Sequence, residues 1–233
     1  MNTNLNTESM GLKRYKKNRS IPMFLLWLSG ALLFLVSGAE AVDFSVWDSL
    51  SKKYVSSKTI DGIPLTAVAY KDLKKDAQLT QVLVKLEKVD LGKLKTREEK
   101  LSFWINVYNI MAVKMVLDNY PVESIKDAGS LFKSVWKKPV GVVGGKQRTL
   151  NEIEHEILRK MGEPRIHVAI VCASVSCPDL RRGAFTPEDL EAQLDEQMKS
   201  FLKNQQKGMR IDSKKGRLYL SSIFDWFEED FDS

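Results

Sequence analysis

The chain has 233 residues, 43% of them hydrophobic, and a net charge of +6 from 36 basic and 30 acidic side chains. A chain of this size fits one domain with a sizeable core. The positive charge does not indicate nucleic-acid binding, because no lysine-rich or arginine-rich stripe with interleaved aromatic residues accompanies it.

The first 41 residues have the pattern of a cleavable secretory signal peptide. A basic segment precedes an apolar run over residues 21–36, and Ala39 and Ala41 put small residues at the positions that a signal peptidase reads. The run is shorter than the roughly 20 residues of a membrane-spanning helix, so cleavage is favoured over a retained anchor. We therefore expect an exported protein, periplasmic or extracellular, with membrane contact only if the signal is kept. Residues 42–66 are interpreted as an N-terminal extension and residues 67–233 as the domain.

Two helices are predicted in the first half of the domain. Apolar residues at helical spacing over residues 77–89 predict an amphipathic helix. Thr96 and Glu99 form a capping box that opens a second helix, and Pro121 ends it. Since this helix is apolar on nearly all sides from Leu101 to Leu117, we expect it to be the buried central helix of the fold.

The second half alternates between hairpin and helix patterns. The Gly144-Gly145 pair predicts a hairpin, and a capping box of Thr149 and Glu152 predicts the helix that follows it. The remaining elements are a buried strand over Ile166–Cys172, a helix from Thr186-Pro187 to Phe201, a hairpin turning at Ser213–Gly216, and a terminal helix capped by Ser221 or Ser222. The fold class is α+β: a single domain with a central buried helix, a short mostly antiparallel sheet and surrounding helices.

Three polar side chains fall on apolar helix faces. Asn106 and Asn109 lie three residues apart and share one face of the central helix. Because burying an amide without partners costs a few kcal/mol, roughly 2–7, both must be bonded, either to loop backbone or within a site. Glu154 falls on the apolar stripe of the next helix, where it either lines a site or pairs with an arginine such as Arg159 or Arg165.

The two histidines of the chain are His155, next to Glu154, and His167, inside the predicted strand. Strand alternation points Cys172 into the core and places His167 on the opposite face. Each is either a satisfied structural residue or a catalytic base. Two histidines and two cysteines without paired short spacings do not form a zinc motif, so neither a metal nor another cofactor is expected.

Four segments together resemble one protein family. They are residues 103–109 (FWINVYN), 150–159 (LNEIEHEILR), 164–181 (PRIHVAIVCASVSCPDLR) and the closing IFDWFEEDF. In this order they are similar to the family called domain of unknown function 547, over about Val68 to Phe231. The resemblance implies a secreted or membrane-associated bacterial domain with no assigned activity. By analogy, the Glu-His, His and Cys positions suggest a thiol-peptidase-like or transglutaminase-like chemistry at Glu154, His155, His167, Cys172 and Cys177.

Two functional hypotheses follow from Cys172 and Cys177, the two cysteines of the chain. In an exported protein they form one disulfide by default, and the four intervening residues can close if the chain turns sharply at Ala173-Ser174. The protein is then a binding or assembly module of the cell envelope, with an unknown peptide or envelope partner. Alternatively, Cys177 before Pro178 is an accessible thiolate.

The thiolate alternative makes the protein a cofactor-free hydrolase or acyl transferase acting on a peptide or amide. Cys177, or else Cys172, is then the nucleophile. His155 or His167 is its base, oriented by Glu154. Asn106 or Asn109 then donates to the oxyanion or holds the loop. Thiol redox chemistry is disfavoured, since the spacing is not CxxC.

Overall fold

A computed structural model describes residues 43–121 and 135–232. The predicted signal peptide lies outside the described residues. The elements before the central helix are α1 (Ser45–Tyr54), β1 (Val55–Ile60), β2 (Ile63–Val68), α2 (Tyr70–Leu73) and α3 (Ala77–Lys88). Trp47 and Leu50 of α1 lie in the core, so the segment interpreted as an extension contributes to it.

The central helix is α4 (Arg97–Asn119), and nearly all of its residues from Leu101 to Leu117 are buried. Its capping box is present as predicted: the Thr96 hydroxyl accepts from the Glu99 N–H at 3.1 Å, and the Glu99 carboxylate accepts from the Thr96 N–H at 3.0 Å. A helix apolar on all sides must be covered on all sides, and the rest of the domain does this around α4.

The strands form three separate antiparallel hairpins in the described residues rather than one continuous sheet. They are β1–β2, β3 (Pro139–Val143) with β4 (Lys146–Thr149), and β5 (Met209–Asp212) with β6 (Arg217–Leu220). The α+β class and the hairpins at Gly144-Gly145 and Ser213–Gly216 are confirmed. The first hairpin was not predicted, although its Asp61-Gly62 turn, with φ of 51° and 79°, is a strong hairpin signal.

The helix after the second hairpin is irregular. A π-helical turn, Glu152–Leu158, leads into a 3₁₀ turn, Arg159–Met161, and Gly162 ends it in a left-handed conformation with φ of 64°. The second capping box is half formed: Thr149 Oγ1 accepts from the Glu152 N–H at 3.0 Å, but the Glu152 carboxylate pairs with Lys146 and Arg148. Widened π turns often occur near functional sites, and this one carries Glu154 and His155.

The predicted strand over Ile166–Cys172 is wrong. The chain there forms one helical turn, α5 (Ile166–Ala169), and becomes extended at Ile170. The turn starts at Glu163 and Pro164, whose carbonyls accept from the N–H groups of Ile166 and His167. Periodicity cannot separate a short buried helix from a buried strand. Because this segment is not a strand, the prediction from strand alternation that His167 and Cys172 lie on opposite faces no longer applies.

The remaining helices are α6 (Leu190–Lys203), α7 (Ile223–Trp226) and α8 (Glu228–Phe231). The helix predicted from Thr186-Pro187 begins at Leu190, after a turn in which the Asp189 N–H donates to Thr186 Oγ1 at 3.3 Å. The predicted terminal helix is broken into α7 and α8 at Phe227. Ile223 N–H donates to Ser221 Oγ at 3.4 Å, in agreement with a serine at its start.

Candidate functional site

A cavity of about 950 Å³ opens between the loop after α5, the middle of α4 and the turn before α7. Its walls are rich in aromatic rings: Tyr70, Tyr108, Tyr120, Trp136, Trp226 and Phe227. The polar groups of the lining include Glu154, His167 and the serines of the loop. A pocket of this size with mostly apolar walls and few polar groups is typical of a ligand site.

One wall of the pocket is the loop closed by a disulfide between Cys172 and Cys177, whose Cα atoms are 6.2 Å apart. As predicted for a crosslink, the chain turns at Ala173, which adopts a left-handed conformation with φ of 56°. The N–H of Cys177 closes the turn by donating to the Ser174 carbonyl at 3.1 Å. Cys172 is half-buried in the pocket wall, so its predicted position inside the core is wrong. We call residues 172–177 the disulfide loop.

A buried lysine fixes the end of the disulfide loop. Lys207 Nζ donates to the Cys177 carbonyl at 3.1 Å and to Asp179 Oδ1 at 2.6 Å, and its side chain is 2% exposed. Asp179 Oδ1 also accepts from the Thr66 N–H at 3.0 Å. Next to Lys207, a Cβ on Gly208 would lie 2.0 Å from the Phe201 carbonyl oxygen, so this approach requires glycine. The charge of Lys207 is thus compensated within the protein.

Asn106 and Asn109 of α4 hold backbone on both sides of the disulfide loop. Asn109 donates to the Ala169 carbonyl at 2.9 Å and accepts from the Val171 N–H at 3.1 Å. Asn106 makes the same pair of bonds with one residue: it donates to the Phe185 carbonyl at 2.8 Å and accepts from the Phe185 N–H at 2.9 Å. Both amides are buried. Of the two alternatives left by the sequence, the structure shows hydrogen bonds to loop backbone. Among the described residues that line the pocket, neither Asn106 nor Asn109 is present.

Glu154 lies in the pocket wall and accepts a hydrogen bond from the Tyr108 hydroxyl at 3.1 Å. Of the two alternatives for Glu154, the structure shows a position in the pocket wall rather than an ion pair with an arginine. Arg159 binds Asp230 and Glu229 instead, and Arg165 binds Glu163, Glu191 and Asp195. Burial raises the pKa of Glu154, and the nearby charges of His155 and Arg159 and the bond from Tyr108 only partly oppose it. Burial also raises the pKa of Tyr108 well above its ordinary value.

His167 is buried and hydrogen-bonded to a residue of α8. Its Nε2 lies 2.7 Å from Asp230 Oδ2, and its ring stacks on Phe227 with centroids 3.8 Å apart. Burial lowers the pKa of His167, although Asp230 opposes this, so the ring is neutral at neutral pH. The hydrogen bond from Arg159, with Nε 2.6 Å from Asp230 Oδ2, lowers the pKa of Asp230.

His155 lies outside the pocket lining, on the Arg159 side of this cluster. Its Nδ1 is 3.4 Å from Arg159 Nη1, and its ring centroid is 6.4 Å from that of Phe227. The structure thus brings four of the predicted residues to one pocket: Glu154, His167, Cys172 and Cys177. It separates from them His155, Asn106 and Asn109.

Sequence reasoning missed Tyr108, Lys207 and Asp230. Asp230 stands in an acidic run near the end of the chain, and Tyr108 lies between the two asparagines, so both had a nearby signal. Nothing around Lys207 in the sequence marks it as buried. Among residues 43–121 and 135–232 no cluster of His, Cys, Asp and Glu is placed to hold a metal ion, and no helix has the length and hydropathy to cross a membrane.

The comparisons with known proteins give one match. The family described as "Protein of unknown function, DUF547" matches residues 91–202, a range that includes α4, the π-helical turn, the disulfide loop and most of α6. The match confirms the resemblance for the three motifs within this range, and the closing IFDWFEEDF lies outside it. No curated protein and no solved structure matches the chain.

Proposed function

We propose that this chain, which belongs to the DUF547 family through residues 91–202, is an exported binding module that holds a peptide segment in the pocket beside the disulfide loop. The observation that carries the proposal is the Cys172–Cys177 disulfide. With both sulfurs joined, neither cysteine is a thiolate nucleophile. The loop that the bond closes instead shapes one wall of the cavity.

Export is supported by two independent features. The first 41 residues have the pattern of a signal peptide, and disulfides persist mainly in oxidising compartments such as the periplasm and the extracellular space. The pairing of all the cysteines of the chain within one small loop fits such a compartment.

The charges of the pocket indicate a ligand with a cationic group. Lys207 is neutralised by Asp179, and His167 is neutral, which leaves the Glu154 carboxylate as the main charge of the lining. In the described residues no basic group lies within ion-pair distance of Glu154, and its hydrogen bond comes from Tyr108. A partly buried carboxylate without an ion pair gains from a cation, and aromatic walls bind cations as well. A lysine or arginine side chain of a peptide supplies both contacts.

The test compares peptides that differ only in this charge. Fluorescent peptides carrying lysine, or norleucine at the same position, are titrated against the protein by anisotropy. We expect the lysine peptide to bind about tenfold more tightly, and Glu154→Gln to remove the difference. Glu156→Gln is the matched control, because Glu156 lies on the same turn but is exposed and pairs with Lys160. Equal binding of both peptides to the unaltered protein would contradict the cationic preference, and no binding of either would contradict a peptide site.

A cysteine-dependent hydrolase is the second candidate, favoured by one observation. His167 lines the same pocket as both cysteines, and Asp230 rather than Glu154 holds its ring. This function requires reduction of the disulfide. Iodoacetamide labelling and peptide turnover are measured with and without a thiol reductant. The hydrolase requires turnover that appears with reductant and is lost in Cys177→Ser, whereas the binding module predicts no turnover in either condition and no labelling without reductant.

A further inference from the structure

The β5–β6 hairpin exposes an apolar face that lies mostly outside the pocket, whose lining includes Leu220 of this face. Ile211 and Leu218 are directly paired across the two strands and are 68% and 57% exposed. Met209 and Leu220 form the next pair on the same face, and Leu220 is 51% exposed. Isolated exposed apolar residues are ordinary, but a contiguous apolar face marks an interaction surface.

The hairpin that carries this face is basic. Between Met209 and Leu220 the chain has four basic residues, Arg210, Lys214, Lys215 and Arg217, and one acidic residue, Asp212. Lys214 and Lys215 occupy the turn, where both are exposed, and the Lys215 Nζ is 4.0 Å from Asp212. Arg210 lies over the ring of Tyr219 at 4.1 Å on the opposite face. The hairpin thus combines an apolar face with a positively charged tip.

We propose that the β5–β6 hairpin docks the protein on the surface of a bilayer that contains anionic lipids. Apolar side chains enter the boundary between headgroups and acyl chains, while the lysine side chains of the turn contact the anionic headgroups. The positive charge of the hairpin is complementary to such a surface. Trp226 is not part of the docking surface, because Asp225 and Glu228 lie beside it in the chain and anionic lipids would repel them.

The size of the face favours a bilayer over a second protein molecule. A stable protein interface buries about 800 Å² on each partner, which the few side chains of one two-stranded hairpin do not supply. Binding at a lipid surface requires only a few inserted apolar side chains together with nearby positive charge. The exposed groups of the β5–β6 hairpin meet this requirement.

The test measures the polarity of the environment around the hairpin in the full chain. A polarity-sensitive fluorophore is attached at Ser213→Cys, in the turn, while the native cysteines are protected by their disulfide. The labelled protein is mixed with preformed vesicles of phosphatidylcholine alone or of phosphatidylcholine with equimolar phosphatidylglycerol. We expect a blue shift of the emission only in the vesicles with phosphatidylglycerol, weaker at high salt. A label at Glu87→Cys, exposed on α3, is the control site and should show no shift.

Two pairs of variants separate the apolar and charged contributions. Lys214→Glu with Lys215→Glu, and separately Ile211→Ser with Leu218→Ser, should each abolish most of the shift. Their controls are Lys71→Glu with Lys75→Glu, exposed lysines elsewhere, and Val84→Ser, which is 42% exposed on α3. Equal emission in the two kinds of vesicle, or an equal shift at the control site, overturns the proposal. A shift that needs no vesicles and rises with protein concentration also overturns it and assigns the face to a second copy.

Discussion

The Nε2 atom of His167 lies 2.7 Å from Oδ2 of Asp230, a residue 63 positions later in the chain. This bond connects α5, the helical turn before the disulfide loop, with α8. Arg159 reinforces it by donating to both oxygens of Asp230, at 2.6 and 3.0 Å. One carboxylate thus connects three segments around the pocket, and we expect the stability of this side of the domain to depend on it.

Asp230→Asn should lower the free energy of unfolding by about 1–3 kcal/mol, because it weakens charge-assisted hydrogen bonds to Arg159 and His167. Urea denaturation measures the change. Asp232→Asn is the control, since Asp232 is exposed near the end of the same segment and forms no side-chain ion pair in the described residues. A loss no greater than that of the control would contradict the role of Asp230.

The His167 ring should stay neutral as the pH falls through 6.5, the ordinary pKa of a histidine, since burial lowers the pKa of His167. The unfolded chain takes up a proton first, so this group makes the protein less stable as the pH falls below 6.5. Proton NMR of the two ring signals across this range measures it directly, because the chain has two histidines. The prediction fails if the His167 signal, assigned with a His155→Gln variant, titrates at or above 6.5.

Asn109→Ala should destabilise the domain by about 3 kcal/mol, because it leaves the Ala169 carbonyl and the Val171 N–H buried without partners. Chemical denaturation followed by circular dichroism gives the value. Asn119→Ala on the same helix is the comparison. Within the described residues the Asn119 side chain makes one bond, to the Met115 carbonyl, and its loss should cost less than about 1 kcal/mol. Similar losses for the two variants would count against the tie at Asn109.

Replacing both cysteines, Cys172→Ser with Cys177→Ser, should reduce stability by about 2 kcal/mol, the chain-entropy value for so short a loop. Thermal unfolding measures the loss. Because the loop forms a pocket wall, peptide affinity should fall as well. Adding reductant to the unaltered protein should reproduce both effects, and reductant should change nothing in the double variant.

Glu154→Gln should stabilise the protein near neutral pH. Burial raises the pKa of Glu154 above its ordinary value of 4.5, so the ionised carboxylate costs free energy in the folded state. This cost is absent well below pH 4.5, where the carboxyl is protonated in both states. It grows as the pH rises from 4.5 to the folded pKa and is constant above that pKa. Glutamine keeps an acceptor for Tyr108. Melting temperatures of the two proteins should therefore converge in acid, and a difference that is independent of pH would contradict this explanation.

Local patterns in the sequence predicted the elements whose causes are local. The capping box of Thr96 and Glu99, the apolar face of α3 and the glycine turn at Gly144 each act within a few residues, and all are present. The prediction of a strand from Ile166 was wrong because a short apolar run fits a helical turn and a strand equally well.

The contacts that build the candidate site lie far apart in the chain. Tyr108 is 46 residues from Glu154, and Lys207 is 28 residues from Asp179. Spacing could indicate that Glu154 and Asn109 need partners, since both fall on buried faces. It could not identify those partners, because folding rather than local sequence brings them together.

The hydrogen bonds of Asn106 and Asn109 to loop backbone also indicate where the sequence of this protein can change without loss of the fold. One turn of α4 fixes the backbone at Val171 and again at Phe185, and Lys207 with Asp179 holds the far end of the disulfide loop. Residues 173–176 are exposed between these anchors and contribute no side chain to the core. We expect substitutions at residues 174–176 to change which ligand the pocket prefers without disturbing folding, so these three positions are a natural starting point for redesigning its specificity. Ala173 is excluded, because its left-handed φ of 56° disfavours larger side chains.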